Sequence, residues 1–221
     1  MGPCLRCSYP RPKRQQGTFP YLAFPTWLNL DHAHVCLLCL QIQWPFDDAE
    51  NYPEMYIVSV DGIHCRIHEP RTEPSTGWYS AKYNKAGLAY EIAIAIHHNK
   101  VVWINGPFPA GQNDKKIFPE PDGLMSKILP GKKVIADEGY RGEPDIVATR
   151  NNFDSKFMKK FKGRAKARHE SFNSRLKAFH VISEPFRGHG DERMEKHKAV
   201  FEACCVIVQY EMDNGHPLFD V

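Results

Sequence analysis

Two short apolar runs in this 221-residue chain each end on an aspartate, and that pattern constrains the fold more than any other feature. Met55-Tyr-Ile-Val-Ser-Val60 leads into Asp61-Gly62, and Val134-Ile-Ala136 leads into Asp137-Glu-Gly-Tyr-Arg-Gly142. Apolar runs of this length, bounded by turn residues, read as buried strands. A carboxylate at the carboxyl end of such a strand is held rigidly at the rim of a sheet. Taken singly, each acid also has an ordinary reading, Asp61-Gly62 as a hairpin turn and Asp137 as the start of a glycine-rich turn.

The rest of the chain supplies the frame for those strands. His64-Cys-Arg-Ile-His68 alternates as a strand following the Asp61-Gly62 turn. Tyr90, Ile92, Ile94 and Ile96 share one face of a further strand, with Ala89, Glu91, Ala93 and Ala95 on the other. His97–Lys100 turns the chain, and Val101–Ile104 returns as a hairpin partner. Asp114 reads as the cap of a helix running through Ile117 towards Leu129, interrupted by Pro119 and Pro121. Beyond Gly142 the pattern is helical, with Phe157–Phe161 and Ala165–Phe179 separated by Gly163. Phe172, Leu176 and Phe179 form an inward stripe in the second of these. A last helix, Met194–Met212, presents Val200, Phe201, Cys204, Ile207 and Val208 to a core, with Cys204-Cys205 inside it. An apolar fraction of 42% is enough to fill that core. Strands, a hairpin, a helix, another strand and then helices give an α/β fold, a mixed sheet with helices packed on it.

Residues 1–50 are punctuated by proline and form a poorly defined N-terminal segment with no recognisable helix-turn-helix; 51–221 form the main domain. Cys4-x-x-Cys7 and Cys36-x-x-Cys39 have the pairing of a Cys₄ zinc site. The second pair, however, lies in the apolar run Val35–Ile42, where buried thiols pack readily. There is no apolar run of the ~20 residues a membrane span needs, and the start lacks the apolar core of a secretory signal. Seven cysteines in a chain of this size point to a reducing compartment.

The net charge of +3 hides a concentration of cations. Lys156 to Lys177 contains nine Lys or Arg against one acid, Glu170. Such a stripe neutralises a polyanion, although a solvated helix face can be equally basic. Arg164, Lys166, Arg168, Arg175 and Lys177 are the candidate phosphate contacts. Glu170 shares its helix face with Asn173, Ser174 and Lys177. An adjacent proton-shuttling role for His169 competes with that of an ordinary exposed helix histidine. Two strand-end aspartates and a helical Glu are the oxygen donors that a pair of Mg²⁺ ions requires.

Four blocks in order carry a resemblance. They are Val60-Asp-Gly-Ile-His-Cys-Arg-Ile67, Gly111-Gln-Asn-Asp-Lys-Lys-Ile-Phe118, Ala136-Asp-Glu-Gly-Tyr-Arg-Gly142 and Arg168-His-Glu-Ser-Phe-Asn-Ser-Arg-Leu-Lys-Ala-Phe179, followed by Asn214-Gly-His-Pro-Leu-Phe219. Together they resemble the catalytic blocks of DDE transposases, closest to the PIF/Harbinger-like group. The resemblance implies an RNase H-like fold and a metal-binding catalytic triad at Asp61, Asp137 and Glu170. It implies Mg²⁺ or Mn²⁺, two ions, with Asp61 bridging them, and phosphodiester hydrolysis followed by strand transfer. Asp114 matches a position often acidic in that family, while its reading as a cap stands beside this. The implied partner is DNA, with a separate DNA-binding protein or self-association making up for the missing recognition module; the reducing compartment and the basic run, a nuclear-import candidate, point to the nucleus or to the cytoplasm with nuclear entry. An inactive or domesticated remnant that binds DNA or protein is the alternative.

Overall fold

The computed structural model describes residues 42–48, 51–70, 75–80, 82, 84–187 and 192–221. The four N-terminal cysteines considered for zinc lie outside these residues. Six strands make one mixed sheet: β1 (Tyr56–Arg66), β2 (Tyr79–Ser80), β3 (Lys85–Ala95), β4 (Val101–Pro109), β5 (Lys133–Ile135) and β6 (Val147–Ala148). β1 lies between antiparallel β3 and parallel β5, β6 runs parallel beyond β5, and β2 and β4 both pair with β3. Among the described residues four α-helices accompany it: α1 (Asp114–Ile117), α2 (Lys156–Lys177), α3 (His180–Ser183) and α4 (Arg193–Asp213). A mixed sheet flanked by helices is the arrangement expected of an RNase H-like fold.

β1 is one strand of 11 residues, not two strands joined at Asp61-Gly62. Pairing explains the difference. Asp61 sits opposite Ile92 and Gly62 opposite Glu91 on β3, so a dipeptide that favours a turn in isolation is held extended by its neighbour. The helix expected from Asp114 to Leu129 is also shorter. α1 is a single turn capped by Asn113, whose side chain accepts from the Lys115 N–H, and a separate 3₁₀ turn spans Leu124–Lys127. α2 runs unbroken through Gly163, because one interior glycine costs only about 1 kcal/mol against Ala in a 22-residue helix.

Each face of the sheet has its own core. Tyr90, Ile92 and Ile94 pack with Ile63 and Cys65 against Phe172 and Leu176 of α2 and Phe201, Cys204 and Val208 of α4. Tyr90 and Phe201 stack with ring centroids 3.8 Å apart. The Tyr90 hydroxyl meets His197 Nδ1 at 2.7 Å, which gives this fully buried histidine a polar partner inside the core. On the opposite face Val58, Val60, Ala93 and Val134 pack with Phe118, Leu124 and Tyr140, and Phe46 completes that cluster with Trp44 and Tyr52 against it. Cys65, Cys204 and Cys205 are buried and free. Among the described residues no helix is long and apolar enough to cross a membrane.

Candidate functional site

The parallel register of β1 and β5 sets the site. Ser59 is paired with Ile135, so two residues further along each chain Asp61 and Asp137 leave neighbouring strands, about 5 Å apart, towards the same face. That face is the one covered by α2, since Ile135 packs against Ala165. Asn173 of α2 then bridges helix and sheet, its Nδ2 donating to Asp61 Oδ2 at 3.1 Å. Glu170 lies three residues earlier on the same helix and is thereby brought to the sheet rim. Asp61, Asp137, Glu170, Asn173, Lys82, Lys166 and Lys177 all line one cleft of about 310 Å³. All three acids singled out in the sequence therefore open onto one space.

Their environments differ. Asp61 is largely buried in the middle of a strand, and burial, with the neighbouring charge of Asp137, pushes its pKa up to about 6. The Gly62 N–H and Asn173 hold its two oxygens. Asp137 is exposed and caps a 3₁₀ turn at Glu138–Tyr140, accepting from the Gly139 N–H at 2.8 Å. Glu170 is 62% exposed and lies 3.9 Å from Lys166.

A fourth carboxylate stands close by. A Cβ at Gly62 would lie 2.8 Å from Asp114 Oδ1, and one at Gly139 would lie 3.3 Å from Asp114 Oδ2 and 3.0 Å from Asp137 Oδ1. These two glycines leave room for Asp114 beside the pair. The helix cap is Asn113, so the cap reading of Asp114 is corrected; burial and Asp137 raise its pKa. Glu91 sits behind Gly62 with its pKa raised to about 7, chiefly by burial, and accepts from the Trp103 indole at 3.1 Å.

The donor set suits a hard divalent cation: carboxylate oxygens from three elements, together with the Asn173 Oδ1, which is buried and has no partner among the described residues. As the side chains stand, no group of three or more His, Cys, Asp or Glu among the described residues is gathered closely enough to hold an ion.

The basic stripe divides on inspection. Lys166 and Lys177 line the cleft. Arg164 donates to the Asp220 carbonyl and lies over the Phe219 ring, and Arg175 donates to the carbonyl oxygens of His216 and Pro217, so both fasten the C-terminal segment. Arg168 is 2% exposed, and its guanidinium binds the carbonyls of Ala95 and His98 and the Asn99 side chain. As placed, it ties α2 to the β3–β4 turn and does not reach a phosphate. Replacing Arg168 with Ala is expected to cost about 3 kcal/mol of stability, because three acceptors lose a charged donor. Lys166→Ala should stay within about 0.5 kcal/mol of wild type. Urea denaturation of both variants checks the contrast.

His169 departs from the reading of an exposed helix residue. It is 2% exposed and meets Ser59 Oγ at 3.2 Å through Nδ1. Neither Asn173 nor Lys82 stood out in the sequence as a site residue. Asn173 was visible only as a member of the helix face shared with Glu170, and nothing near Lys82 marked it.

The profile of one protein family, described as DDE superfamily endonuclease, matches residues 60–209. No curated protein and no solved structure matches the chain.

Proposed function

This chain belongs to the DDE superfamily endonuclease family, and from that premise we propose that it is a divalent-metal-dependent DNA endonuclease of the PIF/Harbinger transposase type. The observation that supports the reading is the shared cleft: register brings Asp61 and Asp137 together, and the Asn173 bridge brings the Glu170 face of α2 to them. Asp61, Asp137 and Glu170 would hold Mg²⁺ or Mn²⁺. Bound ions of this kind polarise a phosphoryl oxygen and lower the pKa of attacking water.

The protein's own part is to position and to balance charge. Asn173 fixes the Asp61 carboxylate so that one face stays open to the cleft. Glu170 leaves Lys166 as it turns towards the aspartates, and that frees the ammonium for a phosphate oxygen. Lys177 stands on the same wall. Arg164 and Arg175 shape the surface through the C-terminal segment they fasten. Strand transfer, in which a DNA 3′-hydroxyl replaces water as nucleophile, uses the same cleft. A separate DNA-binding protein or a second copy of the chain supplies target recognition, and the nucleus is where such a protein meets its substrate.

Nicking of supercoiled plasmid in Mg²⁺ or Mn²⁺ tests the reading. Activity is expected in the wild type and absent in Asp137→Asn; unchanged nicking by that variant would overturn the assignment. The solvated Glu170 beside Lys166 favours one second reading, a non-catalytic remnant that binds DNA or protein. Calorimetric titration with Mn²⁺ separates the two, since a remnant with a broken site takes up no ion at millimolar concentration.

A further inference from the structure

A second space opens off the two aspartates. It is a cavity of about 200 Å³ between the ends of β1 and β5 and the middle of α2. Ile135, buried, supplies an apolar side chain on the α2 side, and the backbone at Val60 and Ala136, whose side chains pack into the opposite core, closes the floor. Gly163 of α2, an exposed position, also lines it, and a Cβ there would meet no atom within 4 Å. Interior glycine is unfavourable in a helix, and packing gives no reason for it here.

His169 gives the cavity one polar group. Its Nδ1 meets Ser59 Oγ at 3.2 Å, and its Nε2 is buried and without a partner among the described residues. At the mouth stand Asp61 and Asp137 together with Arg150 and Lys166. Lys162 lies there too but is taken up by Asp154 at 2.9 Å and by the Thr149 carbonyl.

A flat group with a hydrogen-bonding edge and a phosphate at its base has this chemistry in reverse. We propose that the cavity receives the base of an unpaired nucleotide adjoining the phosphate to be cut. Ile135 and the strand backbone take the ring faces, the unpartnered His169 Nε2 pairs with the base edge, and Arg150 and Lys166 meet the attached phosphate. A base inside a duplex cannot reach such a pocket, so the protein discriminates in favour of a nucleotide already out of the stack. This assignment rests on the reading of the neighbouring cleft as a DNA-cleaving site.

The test compares two hairpin DNAs, one with a single unpaired thymine and one with an abasic residue at the same place. Both carry the same phosphates, so charge attraction cancels and only the base differs. With Ca²⁺ present, fluorescence anisotropy is expected to show the wild type binding the thymine bulge about tenfold more tightly, within the range of a single protein-held base. Gly163→Leu, which adds a bulky side chain on the helix wall of the cavity, should melt no lower than wild type and bind both DNAs with the weaker affinity. Equal binding by the wild type overturns the proposal and needs no variant; so does a preference that survives in Gly163→Leu. A protein that shows the preference but never nicks plasmid in Mg²⁺ or Mn²⁺ keeps the base pocket and loses the nuclease reading. One that nicks without the preference does the reverse.

Discussion

Asp61→Asn is expected to melt above the wild type in metal-free buffer near neutral pH while losing all nicking activity. Asp61 is held in mid-strand with its pKa pushed from 3.8 up to about 6, first by burial and then by Asp137. The sign follows from proton counting. Between those two values the folded protein binds more protons than the unfolded chain, so stability falls as pH rises through that window and stays reduced above it. Each pH unit is about 1.4 kcal/mol, and with allowance for the side of Asp61 that faces the cleft, the charged carboxylate costs the metal-free fold about 2 kcal/mol. Asparagine has no such charge. Its Oδ1 can still accept from the Gly62 N–H, and its amide can donate to Asn173 Oδ1 once that side chain turns over, which satisfies an oxygen now without a partner. A gain of this size raises the melting temperature by roughly 5 °C in a chain of this length. Mn²⁺ should raise the melting temperature of the wild type and leave that of the variant unmoved. A variant less stable than wild type in EDTA would mean that Asp61 is held by the fold, not strained by it.

The same residue shows how far the sequence could be read. The apolar runs ending at Val60 and Ala136 marked the two neighbouring strands that carry Asp61 and Asp137, although each acid alone also fitted a turn. That Asp61 lies inside a strand was not visible, because Asp-Gly favours a turn and only pairing with Ile92 and Glu91 on β3 overrides it. The strand from Ala89 was legible from its alternation of large and small residues, and both of its faces are buried. Arg168 differs for another reason. It sits in a run of cations, yet Ala165, Arg168, His169, Phe172 and Leu176 follow the three-and-four spacing of a buried stripe, and all five are buried. The periodicity was present in the sequence; what it could not show was the set of carbonyls at Ala95 and His98 that lets a guanidinium be buried there. Asp114 is a similar case, since its place beside Gly62 and Gly139 depends on a loop whose path no local pattern encodes.

The buried histidines carry the second large effect, and it appears as a slope. Burial lowers His169 to about 3, helped by Arg168, and lowers His197 to about 4. Below the unfolded value of 6.5 the unfolded chain takes up protons that the fold refuses, so stability falls with pH by about 1.4 kcal/mol per unit for each histidine. Asp61 and Glu91 pull the other way: with folded values of about 6 and 7, each returns a similar amount per unit as pH falls towards its ordinary value. Asp114, raised by burial, adds to that side. Over the window from pH 6 down to the ordinary value of Glu91, 4.5, the two sets oppose each other, and the metal-free wild type is expected to hold a nearly level stability. Replacing both histidines with Gln removes one side of the balance. The double variant should gain about 3 kcal/mol per pH unit across that window, whatever constant penalty its altered packing imposes. Urea unfolding at several pH values reads the slope directly, and a double variant as level as the wild type would show that these imidazoles are already charged in the fold. Asp61→Asn should tilt the profile oppositely, losing its advantage over wild type as the pH approaches 3.8, where the wild-type carboxylate is neutral in the fold and no longer strains it.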